Sequence, residues 1–179
     1  GDFVATFGGA TYRSETWTVT SRLERRDADE EQRWVFAGGF YREPIDGHAF
    51  SLATQLFDST MDEGSDTTGA EVDLSWAYRP VESRWIVLDR LDLKDEARDD
   101  AFGRYESARI VNNLNANWQL DRSLQLGLQF GARYARSTFD GERYDGLSDL
   151  YGVDVRRDLS SRFDIGLHGT LLNSWQANV

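Results

Sequence analysis

Apolar and polar side chains alternate along most of this chain. Between Leu124 and Tyr134 every second residue is apolar, whereas Gln125, Gln129 and Arg133 stand between them. A period of two residues is that of a β-strand with one apolar and one polar face. No segment shows the apolar spacing of a helix (i, i+3, i+4, i+7) as well as it shows this alternation. The pattern therefore predicts an all-β protein.

The alternating segments predict ten strands. Tight turns rich in Asp, Ser, Gly and Pro, such as residues 80–83, follow every second strand, and longer acidic loops are predicted in between. Strands joined in sequence in this way form antiparallel hairpins and therefore an up-and-down sheet. The predicted strands run over residues 3–12, 16–25, 33–42, 48–57, 69–79, 84–93, 105–118, 124–138, 148–157 and 163–174.

The length of the chain predicts a single domain, residues 1–179, large enough for one closed sheet of about eight to twelve strands. The sequence has no run of about eighteen apolar residues, so no transmembrane helix is predicted. A membrane-spanning β-strand needs only about nine to eleven residues, half of them apolar. The absence of cysteine excludes disulfides and thiolate metal sites.

Acidic residues dominate the charge of the chain. The formal net charge of −11 argues against a nucleic-acid partner, because phosphate binding needs a basic surface. Much of the acid lies in four runs, residues 27–31, 58–66, 95–100 and 140–145. We interpret these runs as solvated loops; the alternative is that they bind divalent cations bridging lipopolysaccharide, or give a pore a cation preference. No calcium-loop spacing supports the alternative, and no metal site or cofactor is predicted.

The distribution of aromatic residues favours a transmembrane barrel with its apolar face turned to lipid. Aromatic side chains gather near the tight turns, where an interfacial girdle would lie. The predicted girdle residues are Trp17, Trp76, Trp85, Trp118 and Phe163. The alternate positions would then face a polar lumen, where they would set selectivity or fill the bore. The predicted lumen-lining residues are Arg22, Glu71, Asp73, Gln125, Gln129, Arg133, Asp154, Arg156 and His168.

Two other kinds of protein remain as alternatives. A soluble lipocalin-like barrel shows the same alternation with the apolar face turned inward around a ligand. An outer-membrane hydrolase would need a nucleophile and a base, and His168 could accept a proton from a Ser or Thr of the lumen. Nothing in the sequence places a nucleophile and an orienting acid beside His168, so no catalytic residue is predicted.

Two polar residues interrupt the predicted lipid face. Alternation places Asp89 on the same face as Trp85 and Leu91, and places Asn112 with the apolar residues of its own strand. A charged residue at the midplane of the lipid face costs on the order of 2 kcal/mol. We expect a local irregularity, such as a β-bulge near Leu88, a contact with other protein groups, or a level near the rim.

The sequence around two tight turns, residues 78–85 and 155–167, resembles that of Gram-negative outer-membrane β-barrel proteins. Aromatic residues flank each turn, Tyr78 and Trp85 in the first and Phe163 in the second. Residues 126–175 resemble more narrowly the C-terminal barrel domain of long, repeat-bearing bacterial surface proteins. This resemblance implies a domain that anchors or exports a large extracellular or periplasmic portion.

The ends of the chain depart from that family's pattern. Such barrels finish on a strand whose last residue is aromatic, whereas this chain ends on Val179, and it opens on Gly1 without a signal peptide. We therefore expect a fragment, with ten to twelve strands in the complete barrel and the missing strands supplied by further domains of the same chain or by a partner chain. The predicted function is that of a bacterial outer-membrane anchor, export domain or passive pore in contact with lipid and lipopolysaccharide, without enzymatic activity.

Overall fold

The computed structural model describes residues 3–62 and 64–178, and these residues form ten β-strands. Glu63, part of the acidic run at 58–66, lies outside the described residues. Within the described ranges no helix is long and apolar enough to cross a membrane. The strands are β1 (Phe3–Arg13), β2 (Trp17–Ala28), β3 (Glu31–Ile45), β4 (His48–Met61), β5 (Asp66–Tyr78), β6 (Trp85–Asp100), β7 (Gly103–Gln119), β8 (Leu124–Phe139), β9 (Glu142–Ser160) and β10 (Phe163–Asn178).

All ten strands belong to one antiparallel sheet in which each strand pairs with its neighbours in sequence. The prediction of an all-β, up-and-down sheet of ten strands is confirmed. The first and last strands, β1 and β10, do not pair with each other, so the sheet is open along both edges. Closure into a barrel is therefore not part of the observed fold.

The predicted long acidic loops are wrong. The strands continue through most of the acidic residues, and the connections left between them are short: residues 29–30, 62–65, 101–102 and 140–141. Acidic and basic residues two positions apart share a face of the strand and neutralise each other. The Arg98 Nε lies 3.0 Å from the Asp100 carboxylate, and the Arg104 Nε lies 2.7 Å from the Glu106 carboxylate. The strands are therefore joined by short connections at both of their ends.

Two turns, one at each end of the strands, show how the chain reverses direction within a few residues. Asp140 and Gly141 both have positive φ, 48° and 87°, which is the combination that a type I′ hairpin turn requires. In the turn between β7 and β8, the Ser123 backbone N–H donates to the Asp121 carboxylate at 2.7 Å, and the Leu124 N–H donates at 2.9 Å. The Ser123 backbone and hydroxyl hydrogen bonds hold the pKa of the Asp121 carboxyl below its ordinary value, so this acceptor stays charged.

The sheet has no hydrophobic core of its own. Among the described residues no apolar side chain is buried, and the two buried polar residues are Ser59 and Ser65. The accessible surface of 13020 Å² is roughly one and a half times the value of about 8800 Å² expected for a compact soluble protein of 20.4 kDa. The large apolar side chains that would form the core of a soluble protein are instead exposed, most of them on one side of the sheet, with Phe7 and Leu88 among those on the other side.

The register of the strands is regular except at two places. It shifts between Arg42 and Ile45 in the β3–β4 pair and between Phe163 and Asp164 in the β9–β10 pair. The bulge predicted near Leu88 is wrong, because β6 pairs without a register shift with β5 from Val87 to Asp99 and with β7 from Trp85 to Asp100. Asp89 therefore keeps the orientation that strict alternation gives it.

Two neighbouring turns touch at Gly47. This glycine, with φ of 77°, lies between β3 and β4, and its carbonyl accepts from the Arg79 backbone N–H at 2.6 Å. A Cβ at this position would meet the backbone of Pro80 in the next turn. We expect Gly47→Ala to lower the free energy of unfolding by about 2 kcal/mol or more, since left-handed strain alone costs about 1–2 kcal/mol.

The matched control for Gly47→Ala is Gly141→Ala. Gly141 has a similar φ of 87°, but a Cβ there would meet nothing within 4 Å. Urea unfolding of both variants in detergent micelles, followed by tryptophan fluorescence, separates backbone strain from the contact between the turns. Equal losses in the two variants would show that Gly47 and Pro80 do not need their close approach.

Candidate functional site: the two faces of the sheet

One face of the sheet is apolar across all ten strands. We call it the apolar face; in β8 it carries Leu126, Leu128 and Phe130, and the opposite, polar face carries Gln125 and Gln129. Cross-strand pairing extends the apolar face sideways, because paired residues share a side of the sheet. All six tryptophans of the chain lie on the apolar face: Trp17, Trp34, Trp76, Trp85, Trp118 and Trp175.

The apolar face has a limited width along the strands. In β6, β7 and β9 it covers residues 85–93, 110–118 and 147–155, nine residues in each. At a rise of about 3.3 Å per residue, nine residues measure about 30 Å, and less across a sheet whose strands are tilted. On the same face, charged residues follow this band directly, at Asp95 in β6, Arg136 in β8 and Asp145 in β9. The apolar face is therefore a band bordered by a charged zone.

Aromatic rings cluster along one border of this band, at the end of the strands where β1 turns into β2 and β5 turns into β6; we call this border the turn edge. The rings of Trp85 and Trp118 stack with centroids 4.9 Å apart and planes at 6°. Tyr12 and Trp17 lie 5.0 Å apart at the first tight turn. Trp76 packs with Tyr78 at the end of β5 and with His48 at the start of β4. Phe163 begins β10 beside a register shift and is 72% exposed. The predicted girdle residues thus lie at one edge of the sheet; their contact with a membrane interface stays a prediction.

Two amide–carboxylate pairs interrupt the apolar face. The Asn112 Nδ2 donates to the Asp89 carboxylate at 2.9 Å, and the Asn173 Nδ2 donates to the Asp149 carboxylate at 2.7 Å. Contact with other protein groups, one of the three arrangements expected for Asp89 and Asn112, is thus what the structure shows. Asn112, Ala132, Asp149 and Asn173 follow one another directly across four strands. Asn112, Asp149 and Asn173 thus form a row of polar side chains, with Ala132 among them, across the apolar face.

The nine predicted lumen residues all lie on the polar face. Their role as the lining of a lumen stays a prediction, because the sheet is not closed. The structure brings part of the set together: Asp154 is opposite His168 and Arg156 is opposite Gln125. Arg22 lies apart on β2, where it pairs with Glu24 at 2.8 Å. The nine residues are Arg22, Glu71, Asp73, Gln125, Gln129, Arg133, Asp154, Arg156 and His168.

An ion-pair network missed by the sequence prediction links β5 to β6 on the polar face. Asp73 and Asp92 lie directly opposite each other. Arg90 donates from Nε to Asp92 at 2.6 Å and from Nη2 to Asp73 at 3.2 Å. Strict alternation along residues 85–93, which places Arg90 and Asp92 on the face of Asp73, is the sequence signal that points to this network. The network fastens two strands together with charged groups in mutual contact.

His168 lies between a hydroxyl and a carboxylate on β9 and β10. Its Nε2 lies 2.7 Å from the Thr170 Oγ1, and its Nδ1 lies 3.9 Å from the Asp154 carboxylate. The second distance is too long for a hydrogen bond, so the carboxylate does not fix the imidazole tautomer as a catalytic acid–base pair requires. The arrangement supports polar contacts of the strand surface and leaves the prediction of no catalytic residue in place.

Cavities open mainly on the polar face. One of about 490 Å³ is bordered by Lys94, Arg109 and Arg133, and one of about 140 Å³ by Asn117 and His168 among others. The residues that border the cavities are mainly those of the polar face, so the open space lies on that side of the sheet. Within the described residues no group of three or more His, Asp or Glu side chains is arranged to hold a metal ion.

Comparison of the sequence with models of known protein families and with curated proteins gave no match.

Proposed function

We propose that this chain is a membrane-embedded β-barrel whose apolar face contacts lipid and which acts as an anchor or export domain, or as a passive pore, in a bacterial outer membrane. The observation that carries the proposal is the apolar face itself, which extends across ten strands and is covered by none of the residues that the structure describes. Large side chains on it, such as Leu128 at 42% and Tyr151 at 47%, are half exposed. Monomeric soluble proteins rarely expose apolar patches larger than a few hundred Å².

The width and direction of the apolar band support lipid as its neighbour. Nine residues per strand is the length that a tilted strand needs to cross the hydrocarbon layer. The aromatic clusters at the turn edge lie where the headgroup region would begin. The position of the cavities on the polar face favours that face as the inner one of a closed sheet, whereas a lipocalin-like barrel needs the apolar face inside.

Membrane insertion requires both edges of the sheet to be paired. Unpaired backbone N–H and C=O groups of β1 and β10 would each cost several kcal/mol in hydrocarbon. We propose that β1 and β10 pair with each other, or with strands supplied by further domains of the same chain or by a partner chain. A barrel of this size is narrow, and networks such as Asp73–Arg90–Asp92 would fill much of its interior. This favours an anchor over a wide channel.

The direct test uses the six tryptophans as probes of lipid contact. We expect the chain, refolded into lipid vesicles, to lose most of its tryptophan fluorescence when the acyl chains carry bromine, because every indole lies on the apolar face. The chain without lipid or detergent should aggregate. Vesicles of the same lipid without bromine are the control.

The opposite outcome identifies the soluble alternative. A chain that stays monodisperse in plain buffer, binds an apolar dye in a saturable way and shows no quenching by brominated lipid is a ligand-binding barrel. The membrane proposal would then be wrong.

A further inference from the structure

A cluster of cationic side chains lies on the polar face. Along the strands, it is level with the border of the apolar band that is farther from the aromatic clusters. Lys94 on β6 lies directly opposite Arg109 on β7. Arg133 on β8 is two positions from the residue that pairs with Arg109. All three border the cavity of about 490 Å³. Three adjacent strands thus direct three basic side chains toward one space in a protein whose net charge is −11.

The centre of this cavity is open because small residues form its floor. Ala135 and Gly146 lie opposite each other on β8 and β9, between the cationic strands and β10. A Cβ at Gly146 would meet only the Ala135 carbonyl oxygen, at 3.9 Å. Larger residues here would occupy the space into which Arg109 and Arg133 reach. The volume lies within the range of small-molecule binding sites.

Two of the three cationic side chains form no close ion pair with a carboxylate. Arg109 and Arg133 form no ion pair within 4.0 Å among the described residues, whereas Lys94 lies 3.0 Å from the Glu96 carboxylate. Glu71 also lies opposite Lys94, on β5. Asp145 also borders the cavity, but its carboxylate pairs with Arg143 at 2.6 Å on the opposite face of the sheet. The anion-attracting part of the cavity is therefore the side of Arg109 and Arg133.

Neutral groups suited to a sugar complete the lining. Ser107 and Ser137 lie opposite each other, and Tyr144 is opposite Ser137 on the next strand. Tyr105 and Gln176 also border the cavity. Hydroxyl and amide groups exchange hydrogen bonds with sugar hydroxyls, and exposed tyrosine rings provide flat apolar surface beside a polar tip.

From this arrangement we infer that the cavity bordered by Arg109, Arg133, Tyr105 and Tyr144 is a binding site for an anionic saccharide. The guanidinium groups pair with a phosphate or carboxylate of the sugar, and arginine suits both because its planar donors match two oxygens at once. The serines, Gln176 and the tyrosines contact the sugar ring. The site lies on the polar face, so its ligand comes from the aqueous side of the sheet.

The test measures the binding of glucose 6-phosphate to the chain refolded in detergent micelles by calorimetric titration. We expect saturable binding that weakens as salt is added, because the attraction is electrostatic. Glucose should bind far more weakly, since it lacks the anion. Inorganic phosphate should bind more weakly too, since it lacks the ring. These comparisons use the unaltered chain and do not depend on how any variant folds.

Substitutions then locate the site. The double variant Arg109→Gln/Arg133→Gln should raise the Kd for glucose 6-phosphate by about tenfold or more, the effect of losing charge-assisted hydrogen bonds. Arg22→Gln is the matched control, because Arg22 lies on the same face but on β2, and it should leave the Kd unchanged. No binding by the unaltered chain, or equal Kd values for the double variant and the parent, would overturn the proposal. Equal Kd values for inorganic phosphate and glucose 6-phosphate would overturn its saccharide part.

A sugar-bearing lipid is the other source of the same chemistry. Micelles containing a phosphorylated glycolipid, compared with free glucose 6-phosphate, separate the two sources. Competition by the free sugar phosphate is expected, because the site does not lie on the apolar face. Tight binding of the glycolipid that free sugar phosphate does not displace would overturn the assignment. Neither result depends on tryptophan quenching by lipid, so a failure here is distinguishable from a failure of the membrane proposal.

Discussion

Leu128→Arg is expected to lower the free energy of unfolding in lipid vesicles by about 2–4 kcal/mol, and Gln129→Arg is expected to change it by less than about 1 kcal/mol. The two residues are adjacent in the middle of β8, so the substitutions share the same strand and the same distance from each turn. They differ in the face they alter. Leu128 pairs with Ala116 and Val153 in the middle of the apolar band, so under our membrane proposal an arginine there would be placed in hydrocarbon.

The measurement for this pair is urea unfolding from vesicles, followed by tryptophan fluorescence, with the same slope required of both variants. Gln129 pairs with Asn115 and Gly152 on the polar face, where an added cation has neutral polar neighbours and open space. Equal losses at the two positions would contradict an apolar face in lipid. A smaller loss at Leu128 than at Gln129 would reverse the proposed orientation of the sheet.

Asn112→Leu is expected to be the second most damaging single change, with a loss of about 2–3 kcal/mol. It removes the amide that donates to Asp89 at 2.9 Å and leaves a carboxylate unpaired within the apolar band. Leaving a buried charged acceptor without its donor costs more than the hydrogen bond itself contributed. The loss is measured as for Leu128→Arg.

The double variant Asp89→Leu/Asn112→Leu is the control that separates pairing from polarity. Removing both polar groups leaves neither unsatisfied, so we expect a stability close to that of the parent or above it. The single variant should therefore be less stable than the double variant. The reverse order would show that Asp89 is solvated, and that this part of the apolar face does not meet lipid. Asn173→Leu repeats the test at Asp149 on the other pair.

The strands and their faces were predictable because both follow from a period of two. Alternation in a segment such as residues 124–134 fixes which side chains share a face, whatever the neighbouring strands do. All nine residues predicted to line a lumen lie on the same face of the sheet for this reason. The strand ends were not predictable from composition, because residues 95–100 have the charge of a solvated loop. Their pairing with oppositely charged neighbours, as between Arg98 and Asp100, appears only once the strand is formed.

The sequence contains one local signal for the short turns. Asp140–Gly141 is the dipeptide that a type I′ turn prefers, and it predicts a two-residue hairpin where a long loop was expected. No local signal predicts which residues pair with the carboxylates on the apolar face. Asp89 meets Asn112 diagonally and Asp149 meets Asn173 directly, and both contacts depend on the register between strands. That register is set by the whole sheet and cannot be read from one strand alone.

The sequential pairing of the strands has a consequence for how such a domain changes size. Each strand contacts only the strands before and after it in the chain, so one hairpin can be deleted or duplicated with new contacts needed only at its two flanks. Because a hairpin adds two strands at a time, the direction of the chain at both edges is preserved. A lineage built on this sheet can therefore widen or narrow the sheet in steps of one hairpin without changing the remaining surface.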